Sequence, residues 1–150
     1  MYVHYTREVM KKRDYLPTEP CICINLRRIG LKVTELYDNA LESVGLSVTQ
    51  YSLLVNLCRN EGCSTGELAE RVKLEKSTLV RTLRPLLQRD LVVDKSTTGG
   101  GRRRCLYPTA AGEEIVEKAF PLWQKAQQEV TAKLGVQYHE LVKFFERVNL

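Results

Sequence analysis

Basic side chains are concentrated in residues 71–104, the segment of the chain most suited to holding a polyanion. This segment contains ten of the 23 lysines and arginines but only three of the 18 acidic residues, so its net charge is +7. The whole chain has a formal charge of +5, which leaves −2 for the remainder. A basic region on a slightly acidic background is the electrostatic footprint of a nucleic-acid-binding protein, although a solvated basic surface has the same charge balance.

Two clusters in this segment have residue types suited to DNA contact. The polar side of a predicted helix at 76–84 has arginines, which can bond bidentately to guanine, and short hydroxyl side chains, which let the backbone approach phosphate. An arginine run at 102–104 follows three glycines and suits a flexible tip that enters the minor groove or grips phosphates. With one residue from a preceding helix start and one from the strand before the glycines, the predicted DNA-contacting residues are Ser64, Lys76, Ser77, Thr78, Arg81, Thr82, Arg84, Lys95, Arg102, Arg103 and Arg104.

Five cysteines are the other residues that could do chemistry: Cys21, Cys23, Cys58, Cys63 and Cys105. The odd number, in a chain without an apparent export signal, argues against a disulfide framework. No pair has the C-x-x-C spacing and only two histidines are present, so we expect no metal and no cofactor. No Ser–His, Cys–His or carboxylate constellation indicates catalysis, so we expect a protein that is not an enzyme.

The elements that would position these residues are mainly helices. Capping-box sequences begin at Ser47 and Ser64, and Thr109 can cap a third helix. Cys58 and Val80 are assigned to buried helix faces, and Pro121 is expected to kink the long helix after Thr109. The periodicity predicts helices over 22–40, 47–59, 64–72, 76–89, 109–134 and 136–148, and strands over 91–95 and 104–107.

The predicted fold class is mainly α with a small β-hairpin wing, that is, a winged helix-turn-helix with dimerisation helices at both ends. Two short helices joined by 73–75, the second one basic, form the helix-turn-helix. Residues 1–45 are expected to form an N-terminal arm and dimerisation helix, 46–111 the DNA-binding region and 112–150 the C-terminal dimerisation helices. The apolar stripes of the terminal helices are wider than the small DNA-binding region, called the reader below, can cover. We therefore expect a second copy of the chain to cover them.

Several segments, in order and spacing, resemble the MarR-type winged-helix regulators. They are Gly45–Tyr51, Gly66–Ala69, Lys76–Leu83, Asp90–Val92 and Thr109–Gly112. The resemblance extends over nearly the whole chain from about residue 21. It implies a homodimer that binds pseudo-palindromic double-stranded operator DNA, usually as a repressor, with an effector site between the dimer helices and the reader.

Three residues depart from the pattern of that family. Asp90 stands where the family often has glycine, and aspartate tolerates the left-handed backbone better than most residues do. Pro85 interrupts the reader helix and removes one backbone hydrogen bond. Gly100 stands where the wing commonly has an aspartate that braces the arginine at Arg102, so the wing geometry departs from the pattern.

Cys23 and Tyr37 resemble the hydroperoxide-responsive branch of this family. In that branch a cysteine in the first helix is oxidised, and tyrosines of the partner subunit bond to it; Arg27 replaces the second expected tyrosine. Cys21 is either a resolving cysteine or a residue without a role in this chemistry. Because Ile22 and Leu26 share the apolar stripe, we favour the other interpretation of Cys23, an inert packing residue beside Leu26.

The sequence therefore predicts a homodimeric transcriptional regulator, a repressor released by a small-molecule or oxidant signal. The alternative is a winged-helix protein-interaction module that does not bind operator DNA directly. Since no export signal and no apolar stretch of membrane-spanning length are apparent, we expect a cytoplasmic protein without a membrane partner.

Overall fold

The structure, a computed structural model, describes residues 20–60, 62–95, 105–135 and 137–147. The chain divides into two compact units, Met1–Val33 and Thr34–Leu150. The described helices are α1 (Ile22–Leu41), α2 (Val48–Arg59), α3 (Thr65–Val72), α4 (Lys76–Gln88), α5 (Ala110–Leu134) and α6 (Gln137–Arg147). The described strands are β1 (Cys63–Ser64), β2 (Val92–Asp94) and β3 (Cys105–Pro108). The prediction of a mainly helical chain with a small β-hairpin is confirmed.

Side-chain caps fix where three of the helices begin. Ser47 accepts a hydrogen bond from the Gln50 amide at 3.2 Å, and its own amide donates to the Gln50 side chain at 3.0 Å. Ser64 and Glu67 repeat this reciprocal arrangement at the start of α3. Thr109 accepts from the amide of Gly112 at 3.0 Å at the start of α5. Each predicted cap is confirmed, because capping depends only on residues within one turn.

The strands form an antiparallel sheet in the order β1–β3–β2. Val93 pairs with Tyr107 across the predicted hairpin, and Ser64 pairs with Cys105 on the other edge of β3. The sequence did not predict β1, which is two residues long and exists by pairing with β3. The described part of the return strand runs from Cys105 to Pro108, one residue past the predicted end at 107, and the predicted first residue, 104, lies outside the described residues.

The core of the second unit lies around α2, which packs against α3, α4, α5 and β3. Its fully buried leucines include Leu53, Leu54, Leu57, Leu68, Leu79, Leu83, Leu86 and Leu106. The assignments of Cys58 and Val80 to the core were wrong: Cys58 is exposed and Val80 is 49% exposed. Each directly follows a fully buried leucine, and the rotation of roughly 100° per residue turns it out of the core.

Backbone geometry explains the unusual residue at position 90. Asp90 follows α4 with φ 53°, the left-handed conformation in which glycine would be least strained. Its amide donates to the Leu87 carbonyl at 3.2 Å, and the Leu91 amide donates to the Leu86 carbonyl at 3.0 Å. Pro85 and Pro121 both lie inside unbroken helices.

Candidate nucleic-acid interface

Helix α4 separates a buried face from an exposed face. Leu79, Leu83 and Leu86 recur every three or four residues and pack into the core. The same 3.6-residue period places the intervening residues on the opposite side of the helix. The exposed residues there are Lys76, Ser77, Val80, Arg81, Arg84 and Gln88. The result is a rigidly backed helix whose free face has cationic, hydroxyl and amide groups.

The connection before α4 sets its position against α3. Lys73 ends α3 in the left-handed conformation, with φ 54°, and the Leu74 amide donates to the Ala69 carbonyl at 3.0 Å. Within the described chain, the N-cap residue Glu75 makes no side-chain cap hydrogen bond. Amide groups in the first turn of α4 are therefore not occupied by their own cap residue, and such groups favour phosphate oxygens.

The three predicted hydroxyl residues other than Ser77 are less exposed than the arginines. Thr78 and Thr82 lie half-buried at the edge of the face, and the Thr82 hydroxyl donates to the Thr78 carbonyl at 2.9 Å. Ser64 is half-buried at the start of α3, where its hydroxyl accepts the Glu67 amide. These contacts give Thr82 and Ser64 local structural roles, whereas Ser77, Arg81 and Arg84 share the open part of the face.

The hairpin β2–β3 holds the two ends of the predicted wing. Lys95 is exposed just after β2, where its amide donates to the Cys105 carbonyl at 2.8 Å. Its ammonium group lies 4.8 Å from the centroid of the Tyr107 ring, a cation–π contact. The Asp94 carboxylate accepts the Cys105 amide at 3.2 Å. Arg102, Arg103, Arg104 and Gly100 lie outside the described residues.

Tyr37 belongs to a polar and aromatic cluster that sequence analysis did not foresee. Its hydroxyl donates to the side-chain oxygen of Gln127, whose amide nitrogen donates to the Tyr138 hydroxyl at 3.4 Å. The Trp123 ring lies 6.4 Å from that of Tyr37 and 6.1 Å from that of Tyr51. Burial raises the pKa of the Tyr37 hydroxyl above its usual 10.0, and Tyr138 raises it further. The Tyr37 hydroxyl is thus neutral and already engaged by its own chain at neutral pH.

The cysteines differ in their surroundings. Cys21 and Cys23 are both exposed, with Cys23 in the first turn of α1. Cys63 is 3% exposed in β1, and burial raises the pKa of its thiol. Because thiolate is the reactive form, Cys63 is poorly suited to redox chemistry.

Among the described residues, no group of three or more histidine, cysteine or acidic side chains could hold a metal ion. None of the described helices is long and apolar enough to cross a membrane.

Comparison with known proteins places this arrangement among transcriptional regulators. A sequence model of the MarR family matches residues 44–104, from the turn after α1 to the residue before β3. An HTH-type transcriptional regulator of Staphylococcus aureus (strain MRSA252) is 27% identical over 126 residues, which is 84% of each chain.

Solved structures share the fold. The Mycobacterium tuberculosis transcriptional regulator MosR is 30% identical with a TM-score of 0.75, over 87% of this chain and 94% of that one. MosR in complex with DNA is 31% identical with a TM-score of 0.71, over 87% and 100% of the two chains. A MarR family protein of M. tuberculosis in complex with salicylic acid has a TM-score of 0.65 at 24% identity, over 88% and 98%. This last likeness shows the fold alone.

Proposed function

The chain belongs to the MarR family of transcriptional regulators, and from this premise we propose that it binds pseudo-palindromic operator DNA as a homodimer and represses transcription until a signal releases it. The observation that supports this most directly is the exposed face of α4, where Ser77, Arg81 and Arg84 stand on a helix anchored by buried leucines. A helix fixed on one side and basic on the other is suited to the major groove. Action on operator DNA implies a cytoplasmic location.

The reader, residues 46–111, contacts the duplex through groups with different tasks. Arg81 and Arg84 bond to base edges, guanine above all, because both guanidinium groups are exposed on the same face. Lys76, Ser77, Thr78 and Ser64 lie at helix starts and contact phosphates, which position the helix without reading sequence. Thr82 contributes its methyl group at the edge of the face, since its hydroxyl already donates to Thr78.

The wing adds contacts outside the major groove. Lys95 is exposed at the base of the hairpin, and Arg102, Arg103 and Arg104 follow the glycine-rich tip in the sequence. These cations bind phosphates or enter the minor groove. Support comes from MosR, which has been crystallised with DNA and is 31% identical over 87% of this chain.

A second copy of the chain covers the apolar faces of the terminal helices, residues 1–45 and 112–150. Within α1, Ile22, Ile24, Leu26, Ile29 and Leu31 are all exposed, at between 39% and 74%. In α6, Val142 and Phe144 are exposed as well. Ile22, Leu26 and Ile29 share one side of α1, and exposed apolar surface of this kind marks an interaction site. Closed two-fold dimers are the commonest assembly of one chain.

A small-molecule signal would act at the cluster around Trp123. Tyr37, Tyr51 and Trp123 provide aromatic surface, and Gln127 and Tyr138 provide hydrogen-bonding groups. This combination suits a small aromatic ligand with a hydrogen-bonding group, and a protein of the same fold has been solved in complex with salicylic acid. A ligand that replaces the bond between Tyr37 and Gln127 would shift α1 relative to α5, and with it the spacing of the two reader helices.

An oxidant signal would act at the N-terminus of α1. Cys23 is exposed in the single chain, and its packing role would depend on the second copy that covers this helix. An organic hydroperoxide would oxidise the Cys23 thiolate to a sulfenic acid and leave as the alcohol. The Cys21 thiol would then displace water and form a disulfide. Either product alters a surface assigned to the dimer contact.

The test is a selection of genomic fragments by the purified full-length chain, followed by binding and sedimentation measurements on the selected duplex. We expect two chains per duplex and a preference for an inverted repeat with half-sites about 34 Å apart. Arg81→Ala should weaken binding to the selected site by about 1–3 kcal/mol. The matched control is Lys118→Ala, which removes an exposed cation of α5 and should bind normally. Absence of any selected site would favour the protein-interaction module instead.

A further inference from the structure

Val80 is an exposed apolar residue on the otherwise polar free face of the reader helix. Its side chain is 49% exposed, and it lies on the same side of α4 as Ser77 and Arg84, three residues before and four after it. Residues at these spacings are neighbours on a helix surface. Among the described residues of α4, Val80 is the one large apolar side chain on the exposed face. A β-branched residue also has a lower helix propensity than alanine or lysine, so helix formation does not explain it.

The core accounts for only part of the environment of Val80. Leu79 and Leu83 are buried at 0% and 1% exposure and supply the packing of this turn, whereas Val80 lies at the edge of the exposed face and remains 49% exposed. An isolated exposed valine elsewhere would be unremarkable. Here it lies next to Ser77 and Arg84, at the edge of the surface that the proposed function places against base edges.

We propose that Val80 reads thymine through the C5-methyl group of that base in the major groove. This inference rests on the proposed DNA-binding function and adds a specificity-determining residue to it. Among the four bases, thymine alone has a methyl group there, and apolar side chains recognise it by contact. A valine has no donor or acceptor for the amino group of cytosine or the oxygen of guanine, so those bases lose a water partner without gaining a bond.

Two features make the contact selective. The branched side chain has one strongly preferred rotamer in a helix, so little side-chain freedom is lost when the methyl group docks. Its exposed neighbours at helical spacing, Lys76, Ser77 and Arg84, are charged or hydroxylic, so the apolar contact is confined to a single base. Because Val80 and Arg84 are about 5–6 Å apart at their Cβ atoms, the thymine should lie within one or two base pairs of the guanine that Arg84 contacts.

The experiment replaces thymine by uracil, which removes only the methyl group, at each position of the selected operator. The probes are the full-length wild type, Val80→Ala and the control Thr49→Ala in α2, each at one fixed salt concentration. For the wild type, a single uracil at the contacted position of either half-site should weaken binding about fourfold, the value of one buried methyl-sized group. The control should show the same loss, whereas Val80→Ala should bind the thymine and uracil operators equally.

The outcomes separate this inference from the proposed function. If the wild type binds the operator but no uracil substitution matters, or if Val80→Ala keeps the full preference for thymine, the role of Val80 is wrong and the DNA-binding function stands. If the wild type binds no selected duplex, both are wrong. Since the side chain is exposed, Val80→Ala should keep the wild-type melting temperature, and the uracil series requires no variant at all.

Discussion

The guanidinium of Arg89 donates a 2.6 Å hydrogen bond to the carbonyl oxygen of Gly45. A second nitrogen of the same group lies 3.4 Å from the Val44 carbonyl. Arg89 directly follows the reader helix α4, and Gly45 follows the short 3-10 turn after α1, where it adopts φ 65°. One arginine therefore ties the end of the reader helix to the turn that leads out of α1.

We expect Arg89→Ala to lower the free energy of unfolding by about 1 kcal/mol, the usual net value of such a hydrogen bond at an exposed site. Thermal or urea unfolding would measure this. The matched comparison is Arg81→Ala, which removes an arginine from the free face of the same helix and should leave stability within about 0.5 kcal/mol of wild type. Equal stability of the two variants would contradict the anchoring role of Arg89.

The start of α5 packs closely against the end of the reader helix. Gly112 is buried, and a Cβ atom there would collide with the carbonyl oxygen of Leu91. Gly112→Ala should therefore destabilise the fold by about 1–3 kcal/mol, as overpacking does. The control is Gly66→Ala in α3, where a Cβ meets nothing nearer than the Ser64 hydroxyl at 3.9 Å. That change should leave stability unchanged or raise it by up to about 1 kcal/mol, and a result in the opposite order would refute the close approach at Leu91.

The wing and the reader helix should respond differently to salt. Replacing Arg102 and Arg104 together should weaken binding to all sequences by a similar factor. It should also lower the slope of log affinity against log salt concentration by about two for each subunit. Arg81→Ala should instead reduce the ratio of operator to non-operator affinity. If the wing variant loses specificity and keeps its salt slope, the two roles are reversed.

The cysteines should differ in reactivity. Cys63 should react with a maleimide much more slowly in the native protein than in the unfolded chain, because it is buried and its thiol pKa is raised. A stoichiometric organic hydroperoxide should abolish operator binding by the wild type and leave Cys23→Ser unaffected. Cys58→Ser is the control, since Cys58 is also exposed but lies in α2. Equal binding by every sample before and after treatment would end the oxidant proposal and favour a ligand at the Trp123 cluster.

Local sequence signals predicted much of this fold. The caps at Ser47, Ser64 and Thr109 depend on groups within one turn, so the residue types were enough to place them. Strand β1 was missed because two residues show no periodicity, and its existence depends on pairing with β3. Either Leu79 or Val80 could belong to the buried stripe of the helix on sequence alone. The packing of α2 against α4 is what buries Leu79 and leaves Val80 exposed.

The candidate site was predictable to a similar extent. The basic face of α4 followed from composition and period, because the buried leucines dictate which residues remain outside. The bond between Tyr37 and Gln127 joins residues 90 positions apart, so no local pattern indicates it. The same holds for the bond between Arg89 and Gly45, which are 44 positions apart. The sequence therefore showed Arg89 only as one of the basic residues and gave no sign of its structural contact.

The central claim is that this chain binds a specific duplex through its basic reader, and the most direct measurement is its affinity for the selected operator across a series of salt concentrations. The account predicts a linear fall of log affinity with log salt. For six to ten phosphate contacts the loss is about 10³–10⁵-fold between 50 and 200 mM. At every salt concentration, the operator should bind at least about 10³-fold more tightly than a scrambled duplex of the same length. An affinity that does not change with salt, or that is equal for the operator and the scrambled duplex, would contradict it.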